Sequence, residues 1–240
     1  MRIKQIFISI AFALICSASA QAQTTKDIGL ICLNPHIPET EALGQKATSM
    51  LTSKLQQIAT ANGMSGAGFD NRFIITAHIQ KLKSSQTQTF PQKNAVEISI
   101  GIYVGDGLDG TLYSSYNCEE KGIGNSEDQA IAAAVRKVNP NQEELQKAII
   151  KGKEMILKYY DKMSGNIIKT AKATAAAGRY EDAINMLFAI PMNNKDFQTA
   201  QSLIAQYGSA SLDHKNLDVI RQARSAWSAN PTEEGATQAN

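Results

Sequence analysis

Between Asn94 and Lys137 the chain reads NAVEISIGIYVGDGLDGTLYSSYNCEEKGIGNSEDQAIAAAVRK, and this stretch restricts the possible folds more than any other. Val96, Ile98, Ile100, Ile102 and Val104 alternate with Ala95, Glu97, Ser99, Gly101 and Tyr103, the period-two pattern of a strand with one apolar face. Gly105 to Gly110 supplies the glycines and aspartates of a tight turn, and Thr111 to Cys118 returns with Leu112, Ser114, Tyr116 and Cys118 on one face. An antiparallel hairpin is expected. After Gly122 and Gly124, Ser126 stands three residues before Gln129 at capping-box spacing. Ala130, Ile131, Ala134, Val135 and Val138 then recur at helical period, so a helix should lie over the buried face of the hairpin.

Asp106 and Asp109 in that turn invite a calcium reading. A calcium loop needs further oxygen ligands, including a bidentate acid, whereas here the hairpin closes directly into Thr111 and Leu112. A hairpin tip accounts for every glycine.

Upstream, Ile28 to Leu33 is a short apolar run suited to a central strand, ended by Asn34, Pro35 and Pro38. Glu39 to Ala61 carries Leu43, Ala47, Met50, Leu51, Leu55 and Ile58 on one helical stripe, stopped by Asn62 and Gly63. Phe73, Ile75, Ala77 and Ile79 alternate with Ile74, Thr76, His78 and Gln80 as another strand, and the polar SSQTQTFPQKN that follows reads as a long connection. Pro140 and an Asn141 cap begin a helix with Leu145, Ala148, Ile149, Ile156, Tyr159 and Tyr160 on its stripe. The fold class is therefore α+β: an antiparallel or mixed four-stranded sheet with packed helices, spanning 25–162.

From about Ser164 strands cease. Ile167, Ile168, Ala171 and Ala175 form one helical stripe broken at Gly178, and Tyr180, Ala183, Ile184 and Leu187 form the next. Phe197, Ala200, Leu203 and Ile204 start another helix stopped at Gly208, and a final one carries Leu217, Ile220, Ala223 and Trp227. This gives a helical segment over 164–229 and a polar tail over 230–240. The run G-x-Y-x-x-A-I-x-x-L from Gly178 to Leu187, followed by Pro191, resembles the second half of a tetratricopeptide unit, although the Trp and Leu-Gly positions of a first helix are missing. A plain helical bundle is the competing reading.

Residues 1–22 have the layout of a secretory leader: Arg2 and Lys4, an apolar core from Ile6 to Cys16, and small residues at Ala18, Ala20 and Ala22. Ile15 before Cys16 disfavours a lipid-attachment signal, so cleavage is expected near Ala20 or Ala22. The 24 basic residues fall to 22 without Arg2 and Lys4, against 22 acidic ones, and this balance gives no reason to expect nucleic acid as a partner. No later apolar run reaches the length of a membrane span. Cys32 and Cys118 remain, an even count in an exported chain, and both fall in expected strands. A Cys32–Cys118 disulfide and two small buried thiols are both open readings.

The 25–138 region resembles the periplasmic domain shared by the curli secretion protein CsgG and the outer-membrane activators of penicillin-binding proteins. The resemblance lies in the strand EISIGIYVGD, the DG-x-DG turn, and G-x-G-x-S-x-x-x-A from Gly122 through Ser126 to Ala130. It implies a cell-envelope protein, periplasmic or secreted, with outer-membrane association as a further implication. The family's lipid-anchor cysteine has no counterpart here.

No catalytic constellation is readable. His36, His78 and His214 are scattered without a metal-binding pair, no G-x-S-x-G elbow occurs, and Gly122-Ile123-Gly124 lacks the third glycine of a dinucleotide fingerprint. No catalytic residue, metal ligand or cofactor is therefore expected. The expectation is a non-enzymatic interaction or assembly protein with a protein or peptide partner in the envelope, for which Tyr180, Phe197 and Trp227 are candidate anchors as well as candidate core residues. The alternative is a small-ligand binder or hydrolase whose site is assembled from distant residues.

Overall fold

A computed structural model of the protein describes residues 30–66 and 71–229, with side chains described to residue 225. The expected leader and tail lie outside the described residues. Four strands form one mixed sheet in the order β1-β2-β3-β4: β1 (Asn34–His36), β2 (Phe73–Gln86), β3 (Asn94–Asp106) and β4 (Leu112–Gly124). β1 runs parallel to β2 and the other pairs are antiparallel. The helices are α1 (Gln45–Ala61), α2 (Glu127–Lys137), α3 (Glu143–Ala176), α4 (Tyr180–Phe188) and α5 (Phe197–Ala229). The chain is thus α+β with a C-terminal helical region.

The alternation in β3 does what its pattern demands. Val96, Ile98, Ile100, Ile102 and Val104 are buried, and with Phe73, Ile75 and Ala77 of β2 they form a core against Leu51, Leu55 and Ile58 of α1, Ala130, Ala134 and Val135 of α2, and Leu145, Ile149 and Ile156 of α3. Opposite side chains such as Tyr103, Ser99, Ser115 and Asn117 stay partly or fully exposed, so the helices cover one face of the sheet. The glycines of β4 set the approach of α2. A Cβ on Gly122 would fall on the Ala130 carbonyl, and one on Gly124 would come 2.5 Å from the Ala130 nitrogen. At the other end Gly152 lets α3 close on Val104, since its Cβ would meet Val104 Cγ1 at 2.7 Å.

Several expectations need correction. The apolar run at Leu30–Leu33 is not the regular strand: Ile31 and Leu33 are buried, but the pairing of Cys32 with Ser65 is an isolated bridge, and the ladder with β2 begins at Asn34. The segment read as a connection after Gln80 is largely strand, because β2 continues to Gln86 opposite Asn94, passing a bulge between Lys81 and Lys83. A polar strand carries no alternation to read. The early part of the Glu39–Ala61 helix is a separate 3-10 turn, Glu39–Glu41, and Ala42 at φ 45 breaks it from α1.

The boundary expected between 162 and 164 falls within the continuous helix α3. What changes there is the core. Ile156 and Tyr160 belong to the sheet cluster, whereas Ile168, Ala171 and Ala175 belong to a second cluster with Ala183, Leu187, Ile190, Ala200 and Tyr207. Nor does Gly208 stop a helix, since α5 runs through it; a glycine inside a helix costs only about 1 kcal/mol.

Candidate functional site

The helices α1 and α2 are stitched to each other at two points, one at each end of α2. Gly44 begins α1 without a capping side chain, and Asp128 of α2 takes that place: its Oδ2 accepts from the Lys46 amide at 3.1 Å and its Oδ1 from the Ala47 amide at 2.9 Å. A Cβ at Gly44 would overlap the Asp128 carboxyl. At the other end the buried Lys54 of α1 donates from Nζ to the Arg136 carbonyl at 3.0 Å, placing a cation on the C-terminal carbonyls of α2. Burial, and then the Arg136 charge, pull the Lys54 ammonium below its ordinary value. The contacts 46–128 and 54–136 carry the same sequence offset, so the two helices run parallel for about 12 Å.

Between them opens a groove of about 720 Å³. Ser49, Ser53, Ala132 and Ala133 keep its walls low, while Met50 and Ile123 supply apolar surface. Its charged residues are Lys46 and Arg136, with no carboxylate in the lining. Neither cation takes part in an ion pair among the described residues. Sequence reasoning did not find this site, because the helix expected over Glu39–Ala61 hid the uncapped start of α1 after Gly44, which Asp128 completes from 81 and 82 residues away.

The turn read as a calcium candidate is occupied by other work. Asp106 is fully buried; its Oδ2 accepts from Arg72 Nε and sits 2.6 Å from Nη2, and its Oδ1 accepts from the amides of Leu108 and Asp109. Arg72 also lies over the Tyr159 ring at 4.4 Å, beside Phe73 and Tyr160. Burial opposes the Arg72 charge, but the Asp106 hydrogen bond and the nearby negative charges outweigh it, leaving the guanidinium raised. The cluster pins β2 to the end of β3. Among the described residues no group of His, Cys, Asp or Glu is placed to hold a metal; His78 pairs with Glu41, and His214 with Asp218.

The other sequence candidates are dispersed. The Cys32–Cys118 disulfide is not formed: Cys32 lies just before β1 at one edge of the sheet and Cys118 is on β4 at the opposite edge. Three strand spacings come to roughly 14 Å, twice the reach of a disulfide. Phe197 and Trp227 stand near opposite ends of α5, roughly 45 Å apart, so they share no site, and the Trp227 side chain lies outside the described residues. Tyr180 packs on the second cluster and meets Tyr207 and His214 at a small notch between α4 and α5, where Glu181 is already bound to Lys215 and Arg179 to Asp182.

No protein-family model and no curated protein matches the chain. Among solved structures it is similar to a minor lipoprotein from Acinetobacter baumannii, at 14% identity and a TM-score of 0.31, over 51% of this chain and 94% of that one. It is also similar to a Xanthomonas campestris protein described as DUF330, at 13% identity and a TM-score of 0.34, over 53% and 88% of the two chains. Likenesses at this level carry no argument about activity or place. No helix among the described residues is long and apolar enough to cross a membrane.

Proposed function

We propose that the chain is an exported envelope protein that works by binding, and that an acidic segment of a protein partner occupies the groove between α1 and α2. The observation that carries this reading is the charge of the groove: Lys46 and Arg136 line an open, partly apolar channel with no carboxylate in it. Opposite charge on the partner would satisfy both, and the low Ser and Ala walls leave room for a chain to lie along the helices. Export rests on the leader layout of residues 1–22, and the envelope on the resemblance carried by EISIGIYVGD and the Gly122–Ala130 run.

Binding is favoured over catalysis because well-placed carboxylates are committed to the fold. Asp128 caps α1, Asp106 holds Arg72, and Glu41 accepts from the Ile79 amide and pairs with His78. None of them faces the groove.

A photo-crosslinking residue placed at Ser53 in the intact chain, expressed in its own cells, tests the reading. The expected result is one protein adduct at position 53 that is lost when Lys46 and Arg136 are both changed to Glu, with no such adduct from Ser115 on the open sheet face. Equal adducts from both positions, or an adduct indifferent to the charge reversal, would remove the groove from the function. Turnover of a substrate by the purified protein would remove the binding-only class.

A further inference from the structure

The distal half of α5 carries an apolar surface that no other element covers among the described residues. Leu212 is 64% exposed, Leu217 53%, Val219 64% and Ile220 47%. At about 100° per residue, Ala200, Leu203, Ile204 and Tyr207, which pack toward α4, fall in one sector of α5, Leu217 and Ile220 in a second beside it, and Leu212 and Val219 in a third. Past Lys215, which reaches back to Glu181 of α4, no side-chain hydrogen bond or ion pair joins α5 to another element among the described residues. A single helix gains little stability without a partner for its apolar stripe.

The charges on this half divide in two. His214, Asp218 and Arg221 pair along the helix and Lys215 pairs with Glu181, whereas Asp213 and Arg224 are in no ion pair among the described residues. Those two charges bracket Leu217 and Ile220 at spacings of four, three and four residues, the interval of a coiled-coil seam. The seam is its own complement when reversed. About the point midway between Asp218 and Val219, position 213 mirrors 224 and position 217 mirrors 220. Two copies laid antiparallel therefore set Leu217 against Ile220 twice in the centre and Asp213 against Arg224 at each end.

We infer that the distal half of α5 is a dimerisation helix whose partner is a second copy of this chain, paired antiparallel through Asp213, Leu217, Ile220 and Arg224. A two-fold axis requires such self-complementarity, because each residue meets its mirror position on the other copy. The seam is short and flanked by ion pairs, so the association is reversible and weakens as salt screens the charges. The inference is independent of the groove between α1 and α2.

Sedimentation velocity on the full chain without its leader, over about two decades of concentration at low salt, tests it. Wild type should pass from monomer to dimer. Asp213→Arg and Arg224→Asp should each raise the dimer dissociation constant by about tenfold, since each sets like charges together at both ends. Combining the two restores opposite charges in the same places and should restore the dimer. Circular dichroism identical to wild type shows that the variants keep their helices. A monomer throughout, a dimer indifferent to the single reversals, or a double variant no tighter than the singles overturns the proposal.

Discussion

Asp106 and Asp109 stand three residues apart in one turn, yet their surroundings give them different roles. Asp106 is buried and spends both oxygens on Arg72 and on two backbone amides, so its place is structural. Asp109 is half exposed and lies 3.5 Å from Arg72. Hydrogen bonds from Thr111, and then the Arg72 charge, hold its carboxyl below the usual range. A carboxyl depressed in the folded state adds stability above its unfolded value and loses that contribution as pH falls through the folded value. Asp109→Asn should therefore lower stability slightly at neutral pH and converge with wild type in acid. Urea titrations at a series of pH values check this, and a constant offset at all pH values would show that charge is not the cause. The turn itself was readable from its glycines; Arg72 as the partner of Asp106 was not, because 34 residues separate them.

At the scale of elements, α2 shows both kinds of information at one helix end. Ser126 accepts from the Gln129 amide at 3.3 Å, a local contact that the Ser-x-x-Gln spacing announces. Asp128, two residues later, serves another helix 81 and 82 residues upstream, and no local rule finds it. Replacing it by Ala leaves two first-turn amides of α1 without their acceptor and should cost about 1–2 kcal/mol. Chemical denaturation measures this, with Asp128→Asn retaining part of the stability because its amide oxygen still accepts. Loss from Glu127→Ala as large as from Asp128→Ala would refute the cap, since among the described residues Glu127 pairs with Lys81 on the exposed surface.

Across the whole molecule, two apolar clusters share one long helix, and the loop before α5 is fastened to that helix between them. Ser164 donates to Asp196 at 2.6 Å, and Asn194 Nδ2 donates to Asp161 at 3.2 Å while its own oxygen accepts from the Asp196 amide. Asn194 is buried, so Asn194→Ala strands these partners at a cost of about 1–3 kcal/mol. Hydrogen exchange should then rise in α4 and the first turns of α5 while β2, β3 and α1 keep their protection. Equal loss in the sheet would mean that the clusters unfold as one. By itself the sequence determined what depends on neighbours along the chain: the alternation of β3, its turn, the Ser126 cap and the stripes of α1 and α3, because a strand's period and a helix's turn are written within a few residues. Only the tertiary structure decided the extension of polar β2, the unbroken course of α3 and α5, the separation of Cys32 from Cys118, and the groove that brings Lys46 to Arg136. Each of these depends on pairing, burial or distance between residues far apart in the chain, and local periodicity carries no record of such contacts.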